Sequence, residues 1–170
     1  RYLVSLLTSV AADKLKRTDK FSTTTIRKFF NVAFFAGAGC LFTVQAFWGY
    51  SGVVSVAVFT GSLGLLGLVT AGFHTNPLDI APAFAGTIFG VSQVPMSLVG
   101  YATTEVVAFF TKEKQGFEQW AYVFWMLVGV NIFAAVFSLV FTSGEEQSWS
   151  VDADAKEREK LEGNELSNKV

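Results

Sequence analysis

The chain has 170 residues, 51% of them hydrophobic and only 16% charged, with a mean hydropathy of +0.42 and a formal net charge of −1. A soluble domain carries about 25% charged residues, so this depletion points to a polypeptide that meets lipid and excludes a basic, nucleic-acid-binding surface. Between Phe29 and Phe141 the only charged side chains outside the Lys112–Glu118 loop are Asp79 and Glu105.

Tyr2–Ala12 is apolar but only about half the ~20 residues that a spanning helix needs. Residues 1–13 therefore read as the end of a truncated transmembrane helix. Residues 14–28 hold Lys14, Lys16, Arg17, Lys20, Arg27 and Lys28, the densest run of positive charge in the chain, which places this loop in the cytosol. Asp13 and Arg17 stand four apart and can pair locally on a helix end. Ser22 and Thr23 suit the N-cap of the next helix. Arg27 and Lys28 at its start oppose the helix dipole and are expected to snorkel toward headgroups.

The first full span is predicted over 29–50, about 22 residues or roughly 33 Å, with Trp48 and Tyr50 in the aromatic belt. The second, 53–73, contains Gly61, Gly64 and Gly67 with Thr60, Ser62 and Thr70 among them, which marks close helix packing or a cavity wall. Pro77 and Pro82 then keep either run from continuing as helix through Asn76–Ala81, so a polar corner follows. The third span, 83–111, opens with Gly86 and Gly90 on one face and carries Pro95, where a kink is expected. Ser92, Gln93 and Ser97 are polar at membrane depth and should face protein. Glu105 is either a functional intramembrane acid or a carboxylate near the far interface, where solvation is easy.

Residues 112–119 form a short mixed-charge loop on the non-cytosolic side, and the fourth span covers 120–141. Asn131 is the only amide in that span and is expected to bond a neighbouring helix. Residues 142–170 read as a polar cytosolic tail, disordered or at most frayed helix over 154–161. Cys40, the single cysteine, excludes an internal disulfide and reads as a small buried hydrophobe. A helical H-E-x-x-H, a Cys/His cluster and a phosphate-binding glycine loop are all absent from the sequence, and His74 is its only histidine. These absences argue against an enzyme; no metal site and no cofactor are expected.

Three stretches carry a family resemblance. Asn76, Leu78, Asp79, Ile80, Ala81 and Pro82, followed by Ala85, Gly86, Gly90 and Ser92, resemble the N-H-L-D-I-A-P…A-G…G-x-S signature of the anion:cation symporter branch of the major facilitator superfamily. Ser22, Thr23, Thr24, Arg27 and Lys28 are similar to its S-T-T-x-x-R-K loop. Gly144, Glu145, Gln147 and Trp149 are similar to its G-E-x-Q-x-W ending. Pro77 stands where the family usually has histidine, so no role of that histidine carries over.

The resemblance implies an all-α membrane protein with a partial major facilitator fold: the end of helix 8 plus helices 9 to 12. It implies a secondary transporter of organic or inorganic anions of the sialic acid, glutamate, phosphate or urate type. Proton, sodium or membrane potential would drive it by alternating access, in a plasma, lysosomal or vesicular membrane. Its partners would be membrane lipid, the missing N-terminal half and a small anionic substrate. Thr60, Ser62, Ser92 and Gln93 are then the substrate-pathway candidates. Asp13 and Arg17, with Asn76 and Asp79 of the signature, are the candidates for a cytoplasmic gate. The alternative is a non-transporting four-span scaffold or accessory membrane protein.

Overall fold

The structure is a computed structural model that describes residues 1–18, 20–112, 116–152 and 155. Among them it is all helix and connecting turn. Helix α1 (Tyr2–Arg17) is followed by α2 (Thr23–Trp48), α3 (Gly52–Leu65), a π-helical turn (Thr70–His74), the short α4 (Asn76–Ile80), a 3-10 turn (Pro82–Phe84), α5 (Ala85–Thr111) and α6 (Phe117–Phe141). Among the described residues, four helical stretches are long and apolar enough to cross a membrane.

Local chemistry sets the ends of these elements. Ser22 caps α2 by accepting a hydrogen bond from the Thr25 N–H at 3.2 Å, at the N-cap position read from the sequence and ahead of the apolar span. At its 26 residues, α2 is roughly 39 Å long, enough to cross a bilayer core and project into the basic loop. The second apolar run is not one straight helix. A tight turn at Gly64–Gly67 ends α3, and Gly72 leaves helical geometry at φ −85°, ψ −112° inside the π-turn. The corner differs from its expected irregular form: Asn76–Ile80 is a turn of α-helix with Pro77 in its first turn, where the missing N–H has no helical partner to lose. The chain leaves the corner at Ala81, extended at φ −157°, ψ 80°. Helix α5 runs unbroken through Pro95.

Helix α2 is the central packing element. It pairs with α6 through Phe42 stacked on Phe124 (6.5 Å) and Phe47 edge-on to Trp125 (5.3 Å). Leu65 packs at Gly37 and Leu41 at Gly61, joining α2 to α3. Asn131, expected to reach another helix, donates to the Leu127 carbonyl of its own helix at 2.8 Å. Cys40 is exposed on the outer groove between α2 and α6, not buried. Helix α1 docks on the lower end of the second run, where the Thr8 hydroxyl donates to the Gly67 carbonyl at 2.9 Å and Thr70 to Ser5 at 3.2 Å.

The contacts sort the connections onto two ends of the bundle. At one end Tyr50 meets Phe117 edge-on at 6.2 Å, and Gln45 donates to Ser55 at 2.8 Å across the α2–α3 turn. At the other end lie the loop before α2, the α4 corner and the segment after α6. Ala12, Ile26, Phe30 and Ala71 form a small apolar core beneath that second end. The segment after α6 departs from its expected disorder. Residues 142–152 pack back on the helices, while the frayed helix predicted over 154–161 lies outside the described residues apart from Ala155.

Candidate functional site

Three cationic and anionic side chains from three elements meet at the corner end. Lys16 comes from the last turn of α1, where a cation suits the negative end of the helix dipole. Arg27 comes from the first turns of α2 and Asp79 from α4. The Arg27 Nε donates to Asp79 Oδ2 at 2.6 Å and the Lys16 ammonium to Oδ1 at 2.7 Å, one cation on each carboxylate oxygen. Arg27 also donates from Nη1 to the Ala71 carbonyl in the π-turn. Asp79 and Arg27 are largely buried, with side-chain exposures of 13% and 7%, whereas Lys16 remains 35% exposed.

Burial alone would raise the Asp79 carboxyl. The hydrogen bonds and charges of Arg27 and Lys16 outweigh it and hold the group below the usual carboxylate range. The cluster therefore carries one surplus positive charge. One turn along α2 from Arg27, Asn31 is 3% exposed and its Oδ1 has no hydrogen-bond partner among the described residues. That oxygen lies against Gly72, where an added Cβ would collide with it. Arg27 and Asn31 thus present one polar stripe to the interrupted backbone of the second run.

The cluster reorders the residues picked from the sequence. Asp79 is its centre, and Asn76 sits beside it, half-buried, with Oδ1 unpartnered among the described residues. Asp13 and Arg17 are exposed and make no ion pair among the described residues; Lys16, between them, faces the site. Arg27 is not snorkelling: it is buried and turned inward. The pathway candidates are not gathered. Thr60 is exposed, while Ser62, two residues on and so on another face of α3, points into a cavity walled by Phe34, Phe42, Phe59 and Phe124. The Ser92 hydroxyl donates to the Ile88 and Phe89 carbonyls of its own helix, and Gln93 is half-buried. Glu105 is exposed near the end of α5, beside Phe109 and Lys112.

The three stretches that the sequence singles out separately also converge here. Besides the Arg27–Asp79 pair, the Gly144 N–H donates to the Thr24 hydroxyl at 2.9 Å. The Gln147 N–H donates to the Ile80 carbonyl at 2.9 Å, and the Trp149 ring lies 5.8 Å from Phe84. Residues more than a hundred positions apart form one surface.

Comparison with known proteins finds relatives over most of the chain. Human sialin is 30% identical over 151 residues, covering 89% of this chain and 30% of its own length. Vesicular glutamate transporter 2 from Bos taurus is 34% identical, covering 86% of this chain and 25% of itself. A putative inorganic phosphate cotransporter of Drosophila ananassae is 29% identical over 98% of the chain and 35% of its own length. The chain belongs to this family, the anion:cation symporter branch of the major facilitator superfamily. No family model matches it. Because the chain spans about a third of the relatives' length or less, it corresponds to part of their fold. Its four apolar helices and these relatives make it an integral membrane protein of all-α, partial major facilitator architecture.

Proposed function

We propose that the chain forms part of the C-terminal half of a secondary active transporter for organic or inorganic anions, with the Lys16–Asp79–Arg27 cluster as a cytosolic gate element. The observation that carries this reading is the meeting of the three family stretches around one buried, surplus-positive charge cluster at the end of the α3–α5 corner. Alternating access needs an element with two arrangements. A carboxylate shared between cations on two other helices supplies one: closed while both bonds are made, open when α1 and α2 move away from α4.

The relatives' printed names indicate glutamate and phosphate as substrates to try, with sialic acid and urate beside them. Coupling is to a proton or sodium gradient or to membrane potential. Thr60 is the pathway residue best placed on α3, because Ser62 is turned into the helix bundle. The test is uptake of each anion by vesicles holding the full-length parent protein, under imposed proton, sodium and voltage gradients. Flux of at least one anion that follows a gradient is expected. Flux of none under any gradient overturns the reading in favour of a non-transporting membrane scaffold.

A further inference from the structure

We propose that residues 142–152 are a strap that positions Asp79 between Lys16 and Arg27, with Trp149 as the positioning residue. Helix α4 has only five residues, too few to hold its own geometry. Something outside it must fix Asp79. The link leaving α4 is extended at Ala81, which is 0% exposed, and passes at once to Pro82, which has no N–H to tie it down. The strap grips both sides of this link. Gln147 donates its backbone N–H to the Ile80 carbonyl at 2.9 Å, one residue from Asp79, and Trp149 lies on Phe84 at 5.8 Å.

The strap's other end is seated on α2, less than one turn from Arg27. There Gly144 donates to Thr24 so closely that an added Cβ would stand 2.9 Å from the Thr24 nitrogen and 3.0 Å from the Thr23 carbonyl carbon. Only a residue without a side chain fits that approach. Ser150, the residue after Trp149, is fully buried. The strap therefore bridges the start of α2 and the end of α4, the same two elements that the Arg27–Asp79 pair bridges. Two parallel ties span one joint. The cluster can open only if the strap slackens or its seat on α2 gives way. The structural claim stands on contacts alone; its consequence for gating rests on the transporter reading.

The experiment is hydrogen–deuterium exchange on the full-length parent in lipid nanodiscs, read at peptides covering 77–84, 142–152 and the spans, with anion uptake measured on the same proteins. Trp149→Ala should speed exchange at 77–84 as well as 142–152, by up to about tenfold, the scale an aromatic contact allows. Trp149→Phe should restore it, and Ser148→Ala, an exposed neighbour, should leave it unchanged. In an Asp79→Asn background Trp149→Ala should add little at 77–84, because the joint is already loose. A rise confined to 142–152, or full additivity with Asp79→Asn, overturns the proposal. If Trp149→Ala speeds exchange across every span, Gln147→Pro decides instead, since it removes the backbone donor to Ile80, with Gln147→Ala as the control for the lost side-chain bond to the Glu145 carbonyl: the corner must loosen in the proline variant beyond the alanine one, or the strap is rejected. Loosening of the corner in a protein with no uptake keeps the strap and rejects transport; uptake with an unmoved corner does the reverse.

Discussion

A carboxylate with a cation on each oxygen sets the energetics of this protein's corner, and the two cations are unequal. Arg27 is buried and also bonds the Ala71 carbonyl, while Lys16 is about a third exposed. Removing one partner from a buried pair strands the other charge, at roughly 3–5 kcal/mol, whereas an exposed pair is worth under ~1 kcal/mol. Melting of the full-length parent should therefore drop steeply for Asp79→Asn and Arg27→Ala and little for Lys16→Ala. The same pair predicts the pH response. Because the folded Asp79 carboxyl lies below its ordinary value, its contribution is complete above the ordinary carboxylate range and is lost as pH falls through the lower, folded value. The melting gap between wild type and Asp79→Asn should stay constant near neutrality and shrink only in strong acid. A gap that is flat to the lowest pH, or widens there, contradicts the assignment.

The residues of this cluster were legible, but their pairing was not. Arg27 and Asp79 stand out in the sequence as parts of two different motifs. Dipole and headgroup arguments send Arg27 outward because they see only its own helix. What turns it inward is a carboxylate 52 positions away, which local reasoning cannot reach. The faint available signal was topological: four crossings bring the basic loop, the corner and the tail to one side.

At the level of elements, the spans were readable because apolar length is a strong signal, and the described residues hold four helices long and apolar enough to cross a membrane. The corner was harder. Two prolines argue for a turn, yet Pro77 in a first helical turn is compatible with α-helix, and the departure from helix falls earlier, at Gly72. Glycines in an apolar run signal close approach without saying which one breaks the helix. Asn31 resolves this, since its side chain occupies the space a Cβ at position 72 would need. Gly72→Val should therefore destabilise the full-length parent by about 1–3 kcal/mol, through overpacking against Asn31. Gly64→Val, which has nothing within 4 Å of its added Cβ, should cost much less. Equal losses at both positions in a thermal melt would remove the argument that the Gly72 site is closely packed.

For the molecule as a whole, the decisive geometric fact is that residues distant in sequence touch at both ends of the bundle. Ile80 bonded to Gln147, and Thr24 to Gly144, put the basic loop, the corner and the strap on one side. Tyr50 against Phe117 puts the two remaining turns together on the other. A bilayer cannot be threaded in any other order without separating these pairs. The excess of Lys and Arg at that end, Lys14, Lys16, Arg17, Lys20, Arg27 and Lys28, predicts by the positive-inside rule that it faces the cytosol. Single cysteines placed at Ser148 and Leu78, both exposed, should be reached by an impermeant maleimide only from the cytosolic side in a Cys40→Ser background. Cysteines at Tyr50 and Gly116 should be reached only from the opposite side. Labelling of 78 and 148 from different sides would contradict the fold itself. Labelling of all four with the sides exchanged would leave the fold standing and reverse its orientation, which would move the charge cluster to the other mouth of the proposed pathway.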